Sequence, residues 1–179
     1  YDVKAALPAD DIYLLKYAVS ATDLYRVWKP KTGSVYKQFV ANANNALAQL
    51  DRDGVDYEIA GMLWLQGEAD AVANKGAVYK ANLQAFIADM RTTFSTPNML
   101  FMIARVRDFY NKPQADLVRQ AQVDIAESDA NVEWFDTDSF NPLHNGGHYA
   151  TAAQLQIGQA FATTFLGTIS GTNPAPGAC

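Results

Sequence analysis

The chain has 179 residues, of which 49% are hydrophobic and 18% are charged, so it is long enough and apolar enough for one globular domain with a sizeable core. Its net charge is −5 at pH 7, and it contains no basic run, which excludes non-specific binding to nucleic acid. No apolar stretch reaches the roughly 18 residues that a membrane span requires.

The first half of the chain alternates strand-like and helical patterns. Residues 11–19 form an aliphatic and aromatic run that predicts a first strand. Apolar residues then recur at helical spacing from Val35 to Leu50, and Asp53-Gly54 ends that helix. Residues 59–65 predict a second strand, and a second helical stripe runs from Tyr79 to Phe94.

The second half continues this alternation. Residues 99–106 predict a third strand, a helix follows from about Pro113 to Glu127, residues 132–135 predict a fourth strand, and a last helix starts near Tyr149. The residues predicted to face the core on these two helices are Leu117, Val118, Ala121 and Ile125, then Ile157, Ala160, Phe161 and Phe165.

This order of elements predicts an α/β fold in which a parallel sheet is covered by helices on both faces. Residues 1–169 are expected to form the domain, and residues 170–179 a flexible tail rich in Pro and Gly. The one cysteine, Cys179, cannot form an internal disulfide. It either pairs with another chain in an oxidising compartment or is an unpaired terminal thiol.

Polar side chains follow the second predicted strand at the point where it ends. That strand leads into Gln66-Gly67-Glu68, and Asp70 comes two residues later. Ligands of open parallel sheets bind just beyond the carboxyl ends of the strands, and a glycine there permits a tight turn. Glu68 and Asp70 therefore either carry chemistry or cap the start of a helix.

The exits of the other strands carry further candidates, which are Ser20, Ala21, Thr22 and Asp23, then Arg105, Arg107 and Asp108, then Asp136, Asp138, His144, Asn145 and His148. A histidine is the usual general base at neutral pH, although a single loop histidine is more often a surface residue. His144 and His148 have a spacing that would suit a metal site on a helix, but two glycines lie between them, so we expect no metal. No glycine-rich loop that could hold a phosphate is present.

Two blocks of this sequence resemble the SGNH hydrolase superfamily, and more narrowly its sialate O-acetylesterase branch and the acetyl xylan esterases of carbohydrate esterase family six. The first is Trp64-Leu-Gln-Gly-Glu-Ala-Asp70, and the second extends from Asn145-Gly-Gly-His148 to Ala162. Weaker similarities lie at residues 16–24 and 118–122. The resemblance covers residues 12–165 and implies a three-layer, flavodoxin-like α/β/α fold.

The resemblance implies a serine esterase that removes O-acetyl groups from sugars or polysaccharides without a metal or cofactor. His148 would act as the base, and Gln66 would donate to the oxyanion together with backbone N–H groups. Glu68 would orient His148, with Asp136 or Asp138 as alternatives. Thr22 and Asp70 are expected to contact the substrate.

Three departures from the family pattern matter. The family begins with a strand ending in Gly-Gln-Ser-Asn, whose serine is the nucleophile, and this chain has no such block. Its usual Gly-Gly-Thr is Ser20-Ala21-Thr22 here, which restricts the backbone of a turn that normally helps to bind the oxyanion. The acid that usually precedes the histidine by three residues is Asn145, which cannot stabilise an imidazolium as a carboxylate does.

The missing strand would lie inside the sheet, between residues 12–19 and 59–65, and without it buried backbone groups would stay unpaired. We therefore expect an N-terminal segment outside these 179 residues. It is either cleaved and retained as a second polypeptide, which a disulfide to Cys179 would tether, or simply not included in this chain. The same departures also fit a second hypothesis, a catalytically inactive subunit that binds glycans or has a structural role, with Trp28 and Trp64 available for stacking on sugars. The low charge and the terminal cysteine favour, weakly, an extracellular setting.

Overall fold

A computed structural model describes residues 2–108, 114–141 and 148–172 of the chain. Its elements in chain order are α1 (Asp2–Ala6), α2 (Ser34–Arg52), β1 (Gly61–Trp64), α3 (Glu68–Val72), α4 (Gly76–Thr93), β2 (Leu100–Ala104), α5 (Ala115–Ser128), β3 (Val132–Phe135) and α6 (Thr151–Ser170). The predicted α/β fold is confirmed, and the four long helices lie close to their predicted positions. The short helices α1 and α3 were not predicted.

The three strands form a parallel sheet in the order β1-β2-β3. Met62 pairs with Phe101, and Phe101 pairs in turn with Val132, so β2 is the central strand. Every residue of β2 is buried, as expected of a strand covered on both faces. The parallel arrangement brings the carboxyl ends of all three strands to one edge of the sheet.

The prediction of a strand at residues 11–19 is wrong. No strand is assigned to these residues, and their apolar side chains are largely solvent-exposed, with Leu14 at 81%. A strand requires a pairing partner, and β1 pairs with β2 on one side only. The sequence pattern predicted an extended apolar run correctly, but it could not show that this run lacks a neighbour to pair with.

The core is divided between the two faces of the sheet because successive side chains of a strand point in opposite directions. Phe101 and Ile103 of β2 pack on the face covered by α2, α4 and α5. Met102 and Ala104 pack on the opposite face, where α6 contributes Ile157 and Phe161. Both faces are therefore covered, as the order of elements predicted.

The predicted inward face of α5 is correct except at Leu117. Val118, Ala121 and Ile125 are buried, but Leu117 is 48% exposed. Leu117 points about 100° away from Val118 around the helix axis, on the side of Val118 that lies outside the buried stripe. Its place on the buried stripe is taken by a polar residue, Gln122, which is fully buried.

The last helix ends where the tail was predicted to begin. Gly171 follows α6 with a left-handed φ of 68°, a conformation typical of the residue that ends a helix. Cys179 and the rest of the predicted tail beyond residue 172 lie outside the described residues. Among the helices that the structure describes, none is long and apolar enough to cross a membrane.

Candidate active site

Glu68 stands at the carboxyl edge of the sheet, where β1 turns directly into α3. The turn depends on Gly67, whose φ of 151° is strained for any residue that carries a Cβ. A Cβ at this position would lie 2.6 Å from Cγ1 of Val118, so only glycine fits between β1 and α5. The sequence Gln-Gly-Glu thus sets the position of the Glu68 carboxylate through the backbone that precedes it.

The structure places Glu68 near enough to His148 for the charge of His148 to act on the pKa of Glu68. Burial raises the pKa of Glu68, while the backbone N–H groups of Gly67 and Glu68 and the charge of His148 act in the opposite direction. His148 itself is exposed and lies outside any helix, three residues before α6 begins. A half-buried carboxylate beside an accessible imidazole is the arrangement in which an acid orients a general base.

Gln66 has a different environment from the one expected of an oxyanion donor. Its side-chain Nε2 lies 2.6 Å from Oδ2 of Asp70 and 3.1 Å from the backbone oxygen of Thr22. An amide nitrogen carries two protons, so both are engaged within the protein. In this structure Gln66 joins the exit of β1 to the turn at residues 20–25, and donation to an oxyanion would require one of these bonds to break.

Asp70 is fully buried, and its contacts are to protein groups. Its carboxylate accepts the backbone N–H of Leu24 at 2.7 Å and of Tyr25 at 3.0 Å, in addition to Gln66. Burial raises the pKa of Asp70, and these hydrogen bonds oppose the rise. A side chain without exposed surface cannot touch a substrate, so the expectation that Asp70 binds substrate directly does not fit this geometry.

Thr22 is likewise engaged within the turn. Its hydroxyl donates to the backbone oxygen of Val19 at 2.8 Å and accepts the indole N–H of Trp28 at 3.0 Å. Trp28 and Trp64 are buried and lie in edge-to-face contact, with ring centroids 5.6 Å apart. Neither tryptophan presents a face on which a sugar could stack.

Ala21 retains the backbone conformation that a glycine would adopt more easily. Its φ is +56°, in the left-handed region, which costs a residue with a Cβ about 1–2 kcal/mol. The substitution at this position therefore does not abolish the turn. The turn keeps its shape, at a cost in stability.

A buried polar network behind Gln66 was only partly visible in the sequence. The backbone oxygen of Gln66 accepts the hydroxyl of Tyr79 at 2.8 Å and Nε2 of Gln122 at 3.0 Å, and Oε1 of Gln122 accepts the backbone N–H of Val106 at 3.0 Å. Gln122 thus connects the chain beyond β1 with the chain beyond β2. The signal for it was a glutamine on the apolar stripe of α5, within the block at residues 118–122.

The alternative acids, Asp136 and Asp138, are held by arginines. Arg105 contacts both, and Arg119 forms a paired contact with Asp138 at 2.6 and 2.9 Å. Burial raises the pKa of Asp138, but the hydrogen bonds from Arg119 and from the Asp108 backbone outweigh this, and the pKa is lowered overall. These two acids are thus paired with arginines, whereas the charge of His148 acts on the pKa of Glu68.

Comparison with known proteins agrees with this geometry. A family model described as "Carbohydrate esterase, sialic acid-specific acetylesterase" matches residues 2–167. The chain belongs to this family. The family resemblance drawn from the Gln-Gly-Glu block is thereby confirmed at the level of a carbohydrate acetylesterase-like family.

A solved structure supports the same assignment. The X-ray structure of a protein from Arabidopsis thaliana matches with a TM-score of 0.68 and 25% sequence identity, over 81% of this chain and 56% of that one. The acetylesterase-family chain described here thus spans little more than half the length of that relative. A comparison with curated protein sequences gave no match.

Several expectations for this acetylesterase-family chain remain outside the observed geometry. His144 and Asn145 lie outside the described residues. Within residues 2–108, 114–141 and 148–172, no group of three or more His, Cys, Asp or Glu side chains could hold a metal ion. A surface groove of about 440 Å³ between α4 and α5 is lined by Arg91 and Asp129 among others, and none of the candidate site residues contributes to it.

Proposed function

We propose that the protein is a serine carbohydrate esterase that removes O-acetyl groups from sugars or polysaccharides, with substrates of the acetyl xylan or sialate type. The observation that carries the proposal is that Glu68, placed by the Gln-Gly-Glu turn at the carboxyl edge of the sheet, lies within electrostatic reach of the exposed His148. Membership of the acetylesterase family supports the reaction class.

In the proposed mechanism a serine hydroxyl attacks the acetyl carbonyl carbon while His148 takes the hydroxyl proton. Glu68 stabilises the imidazolium that forms. When the tetrahedral intermediate collapses, the bond to the sugar oxygen breaks and His148 returns the proton to that oxygen. Water, activated by His148, then hydrolyses the acetyl-serine and releases acetate.

We propose that the oxyanion is bound by backbone N–H groups, including that of the turn at residues 20–22. Gln66 and Asp70 hold this turn from behind, since Gln66 contacts Thr22 and Asp70 contacts Leu24 and Tyr25. Thr22 and Asp70 would then serve substrate binding through the position of the turn. Asn145, three residues before His148 in the chain, would support the histidine.

We further propose that the nucleophilic serine is supplied by an N-terminal segment that adds a strand between β1 and residues 12–19. Two features support this. β1 is an edge strand of the described sheet, and the apolar side chains of Leu63 and of residues 12–15 are exposed to solvent. Intact mass and N-terminal sequencing of the isolated protein would test this, and a monomer of this chain alone that unfolds cooperatively would contradict it.

The partner and location are part of the same proposal. The segment belongs to a second polypeptide, which a disulfide through Cys179 could join, and the complex acts outside the cell. A gel run with and without reductant tests the link. Appearance of a smaller band only after reduction supports the link, whereas identical patterns refute the disulfide.

Labelling with a fluorophosphonate, together with hydrolysis of acetylated xylo-oligosaccharides and O-acetylated sialic acid, tests the activity. His148→Ala should lower kcat by about 10⁴-fold or more, because the base is lost. His144→Ala, which removes the other histidine of the sequence, is the matched control and should retain activity. Unchanged hydrolysis in the His148 variant would refute the assignment, and a protein that binds sugars but takes no label would favour the inactive glycan-binding subunit.

A further inference from the structure

A pair of hydroxyl groups links the chain next to His148 to the ends of two strands. Oγ1 of Thr137 lies 2.7 Å from the backbone oxygen of Arg105, just beyond β2, and 2.6 Å from the hydroxyl oxygen of Tyr149. Thr137 follows β3 and is fully buried. Both contacts are therefore made away from bulk water.

The direction of both hydrogen bonds follows from the number of protons. A carbonyl oxygen can only accept, so the single hydroxyl proton of Thr137 is donated to Arg105. Tyr149 must then donate its own proton to Thr137. The phenol proton of Tyr149 is thus donated to Thr137, at the end of the sheet.

Tyr149 directly follows His148 in the chain, so fixing one residue restricts the other. The Tyr149 ring also packs against the apolar cluster between the sheet and α6, which anchors it at a second point. Burial is the main cause that raises the pKa of Tyr149. The hydroxyl of Tyr149 also lies close enough to Glu68 for the charge of Glu68 to raise this pKa further. Tyr149, Glu68 and His148 therefore share one small region at the strand ends.

We propose that Tyr149 and Thr137 are positioning residues for His148, because their hydrogen bond fixes the backbone beside the histidine so that the imidazole faces Glu68. This inference rests on the proposed role of His148 as the base. The inference adds two residues to the proposed site, of which Thr137 lies just beyond β3. Neither takes part in the chemistry, but together they determine where the base lies.

The kinetic test removes the bond from each side in the complete protein. Tyr149→Phe and Thr137→Val should each lower kcat by about 10–100-fold with KM within about threefold, since a misplacement of about 1 Å can cost 10²-fold. The double variant should be no worse than either single variant, and Thr137→Ser, which keeps the hydroxyl, should restore most of kcat. Tyr17→Phe is the matched control, because it removes a tyrosine hydroxyl that donates at 2.7 Å to the exposed Gln38.

A readout independent of activity uses the NMR chemical shifts of the His148 ring. In the parent protein, Glu68→Gln should shift these resonances, and in the Tyr149→Phe background the same change should shift them by less than half as much. If the variants fold but this coupling and kcat are both unchanged, or if kcat falls while the coupling persists, the inference is overturned. Loss of the coupling in a protein that shows no esterase activity would uphold the positioning and reject the proposed function.

Discussion

Removing the carboxylate of Asp70 should destabilise the fold more than any substitution at an exposed acid. In Asp70→Ala the backbone N–H groups of Leu24 and Tyr25 and one amide proton of Gln66 lose their acceptor. Each buried donor left without a partner costs about 1–3 kcal/mol. The variant is relieved of a buried charge, which offsets part of this, so we expect a net loss of about 3–5 kcal/mol.

Urea unfolding followed by circular dichroism measures this loss. With a slope of about 2 kcal/mol per molar urea, the midpoint should fall by roughly 1.5–2.5 M. Asp124→Ala is the control, since Asp124 forms an exposed contact with Lys80 and its loss should leave the midpoint unchanged. Asp70→Asn keeps one acceptor oxygen, so its unfolding midpoint should lie between those of Asp70→Ala and Asp124→Ala.

Hydrogen exchange distinguishes a local effect from a global one. In Asp70→Asn the backbone amide of Leu24 or Tyr25 that faces the new side-chain nitrogen should exchange faster than the amides of β2, because it loses its acceptor. The reasoning would be refuted if the midpoint of Asp70→Ala lay within about 0.3 M of the parent midpoint. That difference is far below the roughly 1.5 M expected. Such a result would mean that the turn at residues 20–25 is held by other contacts.

Three further predictions concern the same edge of the sheet. Burial raises the pKa of Glu68 above its ordinary 4.5, so the folded state holds this proton more tightly than the unfolded chain, and stability is lost as pH rises through the raised pKa. In urea unfolding, Glu68→Gln should therefore be more stable than the parent at pH 7 but not at pH 4. A stability difference that does not depend on pH would contradict this. Gly67→Ala should lower the free energy of unfolding by about 2–4 kcal/mol and should lower kcat, because the new Cβ would lie 2.6 Å from Cγ1 of Val118. An unaltered melting temperature would show that the turn can relax. Ala21→Gly should raise the free energy of unfolding by about 0.5–1 kcal/mol by relieving the left-handed φ of 56°, and a destabilised variant would argue against that strain.

Helix positions and the three paired strands could be predicted from the sequence because their signals are local. The apolar stripe of α2 and the buried run of β2 each depend on residues close together in the chain. Residues 11–19 carry a similar apolar run, yet they form no strand, because a strand depends on a neighbour that no local pattern reveals. Leu117 was misassigned for a smaller reason, namely that it lies one residue away from the buried stripe.

The candidate site, too, could be predicted only where its signals are local in the sequence. The exit of β1 could be recognised from Gln66-Gly67-Glu68, and Glu68 with His148 could be paired through the family resemblance. The sequence could not show where the side chain of Gln66 donates, or that Asp70 is sealed from solvent. Nor could it distinguish Glu68 from Asp136 and Asp138, which are held by Arg105, just beyond β2, and by Arg119 of α5.

What the sequence determined by itself was therefore the order of the elements, the strand end that carries chemistry, and the residue types that stand there. The tertiary structure decided which of those side chains remain available. The hydrogen bonds that engage Asp70 and Gln66 join residues 44, 46 and 56 positions apart, and they form only after the sheet has assembled. Because a polar side chain has few donors and acceptors, partners brought from so far along the chain determine whether it supports the fold or faces a substrate.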